Sequence, residues 1–156
     1  MPATNSNNTA SIGFEQQIWA AADILRGNMD AGEYKHVVLG LIFLKYISDK
    51  FEERHKQLID DDDVEDKDAY TEVNIFFVPP VARWSIISKW AHKSGKDEEF
   101  EPDVAHDIGT IIDRAMRAIE KENKRLKDVL PKIYSRSELD KRRLGNVVDL
   151  FTQLSQ

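Results

Sequence analysis

The chain contains no cysteine, which excludes a disulfide framework, a thiolate zinc site and a cysteine nucleophile. It has no glycine-rich loop set between a strand and a helix, the arrangement that lets backbone amides approach a nucleotide closely. The glycines in the stretches RGN and DAGE read instead as residues at helix ends. Long apolar runs are also missing. The longest, Val37 to Leu44, is broken by Lys45 and resumes only through Tyr46 and Ile47, far short of the roughly 20 residues that span a bilayer. The N-terminal MPATNSNNTAS lacks the basic residues and apolar stretch of a secretory signal, so the expected location is the cytoplasm, with no membrane partner. His36, His55, His92 and His106 show no metal-ligand spacing, and no pair of the many carboxylates is singled out for acid–base work. The residues therefore predict no catalytic centre, no metal site and no cofactor site in this chain.

What is present is a chain of 156 residues, 41% hydrophobic and 32% charged, a balance suited to amphipathic helices with solvated faces. Its length fits one domain. The net charge of −6 is unevenly spread: residues 1–75 hold 7 basic against 15 acidic residues, whereas 114–143 hold 11 basic against 5 acidic. That asymmetry lets one side of an acidic protein meet a polyanion.

Residues 1–10, rich in Asn, Ser and Thr, predict a disordered lead-in, and 11–156 a helical domain. Phe14, Ile18, Ala21 and Leu25 recur at helical spacing, with a cap expected at Ser11 or a neighbour and a left-handed end at Gly27. Asp30 and Glu33 resemble a capping box opening a second helix over about 31–58. Its apolar residues, from Val37 to Phe51, cover over half the circumference and predict the central helix of the fold. The run DDDDVEDKD, residues 60–68, repels itself and lacks the glycine and terminal Glu of a calcium loop, so it reads as a surface loop. VNIFFVPPVARW predicts an extended segment or edge strand, because Pro79 and Pro80 remove two backbone donors. A short helix is expected from Ser85 through His92, then a polar connector, SGKDEEFEPD. Asp103 is expected to cap a helix over about 104–122, with Leu126, Val129 and Leu130 tucked down after it. Ser137 with Asp140 is expected to open a last helix bearing Leu144, Val147, Val148, Phe151 and Leu154. The sum is an all-α fold, a small bundle of four to five helices with one extended Pro-containing segment.

Binding is the function left open. Lys124, Arg125 and Lys127, with Lys141, Arg142 and Arg143, are the candidate DNA-binding residues, since clustered cations supply sequence-independent affinity for phosphates. The alternative is a solvated basic face that balances the acidic half. Arg83 and Trp84, adjacent in the irregular segment, are the interface candidates.

FEQQIWAAADILRGNMDAGEYKHVVLGLIFLKYISDKFEERHKQL at 14–58 closely resembles the start of the modification (methyltransferase) subunit of type I restriction–modification systems. FFVPPVARW, IDRAMRAIEKEN, LKDVLPKIY and LDKRRLGNVVDLF follow in that family's order, so the resemblance covers nearly the whole chain. It implies a helical N-terminal domain that helps close modification subunits around DNA. The parent subunit is implied to use S-adenosylmethionine to methylate adenine N6, and to assemble with a specificity subunit, a second modification subunit and, in the full complex, a restriction subunit. In that family the chain continues into a Rossmann-like domain holding the S-adenosylmethionine loop and the Asn-Pro-Pro-aromatic motif. That domain is expected to be absent from this chain, Val78-Pro79-Pro80-Val81 does not match the motif, and no catalytic residue carries over. A protein–protein docking module for the specificity subunit, without direct DNA contact, is the competing expectation.

Overall fold

Two successive helices open the described part of the chain. The computed structural model describes residues 15–27 and 29–153. The expected lead-in at 1–10, the cap near Ser11, and the stripe positions Phe14 and Leu154 lie outside the described residues. Helix α1 is described over 15–26, with Ala21, Ala22 and Leu25 buried. Gly27 follows it, though not in the left-handed conformation expected. What Gly27 supplies is room: a Cβ there would lie 2.9 Å from the Arg143 guanidinium, which donates to the Ile24 carbonyl at 3.0 Å.

Helix α2 spans Ala31–Leu58, as its periodicity predicts, and Asp30 is its N-cap residue. The Asp30 carboxylate makes no capping bond, so the expected box is absent. Val37, Val38, Leu41, Leu44, Ile47 and Phe51 are buried, whereas Leu39 and Tyr46 are 60% and 57% exposed. The helix is therefore packed along one side and open along another, and it is not the hub of the fold.

That place belongs to helix α5, Ile108–Glu122, which buries nine residues, including Asp113 and Arg114. Around it pack helix α4 (Trp84–Lys89), helix α6 (Lys141–Thr152), two 3-10 turns (Pro80–Ala82 and Lys124–Leu126) and the second strand of a hairpin. Burial of charged residues hides this from the sequence, where a charged side chain reads as facing solvent. The helix starts four residues later than expected, at a reciprocal capping box between Asp107 and Thr110 rather than at Asp103.

Where a polar connector was expected, strands β1 (Gly95–Asp97) and β2 (Glu101–His106) pair antiparallel. Ion pairs bind this hairpin to α5. Arg114 meets Asp97 at 2.8 Å and Glu101 at 2.9 Å. Glu101 also meets His106 at 3.0 Å. Such long-range pairs leave no periodic trace.

Helix α6 is capped by Asp140, not Ser137: its carboxylate accepts from the Arg142 and Arg143 amides at 2.8 and 3.2 Å. Leu144, Val147, Val148 and Phe151 are buried as the stripe predicts. A one-turn helix, α3 (Asp68–Thr71), brings the α-helices to six among the described residues, a mostly helical domain with a small hairpin.

Residues 75–79 are extended but form no strand. Their partner is a side chain. The Asn123 amide accepts from Phe77 N at 3.0 Å and donates to Phe77 O at 2.9 Å, replacing the ladder bonds a neighbouring strand would give. After Asn123 the chain turns back along α5, pinned by two of its carboxylates. Glu120 accepts from the Leu130 amide at 2.8 Å, and Asp113 accepts from Tyr134 and Ser135 amides at 3.0 and 3.1 Å. Leu126 and Leu130 are buried on this return strap, while Val129 is 57% exposed instead of tucked down. Tyr134 ends it, fully buried, with its hydroxyl donating to the Val37 carbonyl at 2.7 Å. Gly40 makes that reach possible, since a Cβ there would collide with the Tyr134 hydroxyl and lie 2.7 Å from Pro131.

Candidate nucleic-acid interface

Only two residues of α5 are exposed, Arg117 and Lys121, and both are basic. They stand four residues apart, one above the other on the same helix face. Several acidic residues of the region are drawn inward or paired, while Asp128 and Glu138 stay exposed. Glu120 accepts from Lys132 at 2.7 Å as well as from the strap. Burial raises its pKa, but the Lys132 ammonium and the Leu130 amide outweigh that and hold the carboxyl below its usual range. Glu122 lies 3.5 Å from Lys67, Asp113 serves the strap, and Asp140 caps α6. The side chains of Arg117, Lys121, Lys124, Arg125, Lys127 and Arg142 make no hydrogen bond or ion pair among the described residues. Tertiary pairing thus leaves Arg117 and Lys121 as the outward charges of α5 itself.

The six DNA-binding candidates divide into two groups. Lys124, Arg125 and Lys127, all exposed, follow the C-terminal end of α5. Lys141 sits at the other end, where its Cε would be 2.6 Å from a Cβ on Gly109. The two groups are therefore separated by roughly 20 Å, the rise of the intervening helix. Within the second group, Lys141 donates to the Leu139 carbonyl at 2.7 Å and also to Arg136 O, and Arg143 is tied to α1. Arg142 is the exposed member. Arg117 and Lys121 lie between the groups and complete a basic line along α5; as exposed positions on an amphipathic helix they were open to sequence reasoning, which passed over them.

Beside the first group is a cavity of about 330 Å³, lined by Lys67, Ile75, Phe76, Glu122, Lys124 and Arg125 among others. Lys67 comes from the acidic run, where nothing in the sequence marks it as part of a basic site.

The family model described as the HsdM N-terminal domain matches residues 14–151. The chain belongs to that family. It is 34% identical over 160 residues to the type I restriction enzyme MjaIX methylase subunit of Methanocaldococcus jannaschii, an alignment covering 91% of this chain and 26% of the relative. This HsdM N-terminal domain thus spans about a quarter of the length of that relative.

The β2-to-α5 passage does not fit S-adenosylmethionine. Among the described residues, the strand-to-helix passage from β2 to α5 is closed by Asp107, whose carboxylate takes the Thr110 amide at 3.0 Å and places a negative charge at the helix end. No glycine-rich turn opens it to a nucleoside. No described helix is long and apolar enough to cross a membrane.

The interface candidates Arg83 and Trp84 are engaged within this HsdM N-terminal domain. Arg83 donates to Val78 O at 3.1 Å and Glu65 at 2.7 Å, and lies 4.8 Å from the Phe51 ring centre. Trp84 is buried and its indole N–H donates to Thr152 at 2.9 Å. A different apolar surface is open. Leu39, Phe43 and Tyr46 recur at spacings of four and three along α2. They line two successive hollows of about 860 and 400 Å³, walled by Val129, Pro131 and Ile133 at one end and by Val73, Ile75 and Phe76 at the other.

Proposed function

We propose that this chain is the DNA-clamping and subunit-assembly domain of a type I restriction–modification DNA methyltransferase subunit. In this reading the parent subunit transfers a methyl group from S-adenosylmethionine to adenine N6 and works with DNA, a specificity subunit and a second modification subunit, joined in the full complex by a restriction subunit. Family membership supports the setting. The observation that carries the DNA role is the line of outward cations on α5, Arg117 and Lys121, continued by Lys124, Arg125 and Lys127. Such a line meets phosphates without reading sequence, while the chain's overall net charge of −6 keeps the isolated domain's affinity low until partners complete the clamp.

Charge reversal in the assembled methyltransferase tests this reading. Arg117→Glu with Lys121→Glu is expected to weaken binding to specific and unrelated duplexes alike, and to make the slope of log affinity against log salt shallower by roughly 0.9 for each phosphate no longer neutralised. An unchanged slope with intact assembly would falsify the DNA role.

A second reading, docking on the specificity subunit without DNA contact, is favoured by the apolar stripe Leu39–Phe43–Tyr46. Its 3-4 spacing suits the packing of a partner helix. Leu39→Glu is then expected to reduce assembly at equal protein concentration while DNA affinity per assembled complex stays unchanged.

A further inference from the structure

The cavity at the C-terminal end of α5 combines two kinds of wall. Ile75 and Phe76, both half-buried, give it an apolar side, while Lys124 and Arg125 bring cations with no partner among the described residues. Lys67 also lines it, but lies 3.5 Å from Glu122, so these two cancel and the lining keeps a net charge of +2 in a chain of −6.

The apolar wall is fixed before any ligand arrives. Asn123 ties Phe77 to the end of α5 through both oxygen and nitrogen of its amide and also donates to Ile119 O at 2.7 Å, so its polar atoms are committed to the fold. Asn74 turns the chain with φ of 63°, and the Ile75 amide donates to Tyr70 O at 3.0 Å. That wall loses little entropy on binding, and the ordering cost falls on Lys124 and Arg125.

A phosphate alone has no use for Ile75 and Phe76, and an apolar helix has no use for two unpaired cations. A ligand with a flat apolar body and an anionic group satisfies both walls. We propose that this cavity takes one unstacked nucleotide of the bound nucleic acid, its base against Phe76 and its phosphate at Lys124 and Arg125. This rests on the reading that the α5 line faces DNA, and adds that the domain favours a nucleotide displaced from the duplex.

The test uses the 156-residue chain with dAMP, deoxyadenosine and inorganic phosphate as separate probes, followed by amide chemical-shift titration. The expected result is saturable shifts at Ile75, Phe76, Lys124 and Arg125 with dAMP, and affinity about tenfold weaker for either half alone, matching a stacking contribution of about 1.4 kcal/mol. Equal affinity for phosphate and dAMP would show only a basic patch and overturn the proposal, as would no binding of dAMP. Thr71→Trp provides the second arm, since Thr71 is exposed and lines the cavity, so a larger side chain there fills it without entering the core. With an unchanged thermal midpoint verifying the fold, the assembled variant is expected to lose any preference for a duplex with a single-base bulge while keeping its affinity and salt slope for plain duplex. If that preference is absent or survives in the variant while the Arg117 and Lys121 reversals weaken duplex binding, the nucleotide site is wrong and the DNA role stands. If those reversals change nothing, the DNA role fails and takes this proposal with it.

Discussion

At the scale of single residues, Tyr134 and the ion pairs of Arg114 carry the most consequence. Burial pushes the Tyr134 hydroxyl well above its ordinary pKa, so it remains a neutral donor to Val37 O. Tyr134→Phe removes one hydrogen bond and is expected to cost about 1 kcal/mol in chemical denaturation. Gly40→Ala drives a methyl group into the same hydroxyl and is expected to cost about 1–3 kcal/mol, part of which Tyr134→Phe restores in the double variant. Additive losses would show that the two positions do not meet.

The carboxylates give a pH dependence of definite sign. Burial raises the pKa of Asp97, but Arg114 and the Phe100 and Glu99 amides outweigh it and bring the net shift below the ordinary value. Glu101 is lowered chiefly by its bond to Arg114 and further by His106, against burial. Because both folded pKa values lie below the unfolded ones, their contribution is fully present above the unfolded range and lost as pH falls through the folded values. The thermal midpoint is expected to fall below about pH 4. Asp97→Asn should shrink that acid loss in a pH series of melting curves.

At the scale of elements, the hidden partner decides the outcome. Leu41 is fully buried on α2 and Ile42 only partly, so Leu41→Ala is expected to cost about 2–5 kcal/mol and Ile42→Ala clearly less. Substitutions in Asp60–Asp63, all exposed, should move the denaturant midpoint little. Helix α2 was legible from its period and its cap residue, and α6 from its stripe of Leu144, Val147, Val148 and Phe151. The hairpin was not. Its strands are short and polar, and they are held by Arg114 from a helix that follows them in the chain, which no window of sequence displays. For the same reason the first turn of α5 was misplaced: residues 104–106 fit helical spacing as well as they fit β2, and only the cap at Asp107 settles the boundary.

At the scale of the whole molecule, the basic cluster read from sequence becomes two ends of one helix. Since those ends are roughly 20 Å apart, charge reversals at Lys124 with Arg125 and at Arg142 are expected to weaken DNA binding additively in the assembled enzyme. Strong non-additivity in measured affinities would show that they grip one phosphate group together. Reversing Lys141 or Arg143 is a poorer probe, because each holds backbone carbonyls and its loss also loosens the fold.

The sequence by itself determined the helical class, the absence of thiol chemistry, the segments that become α2 and α6, and the excess of cations between residues 114 and 143. These follow from composition and from periods of a few residues, which are local properties. Only the tertiary structure decided which charges point outward. Glu120, Glu122 and Asp113 meet partners far along the chain or in its backbone, while the side chains of Arg117, Lys121 and Arg125 meet none among the described residues. Charge is a property of residues, but a field at a surface depends on which charges have already been paired, and pairing is made by the fold.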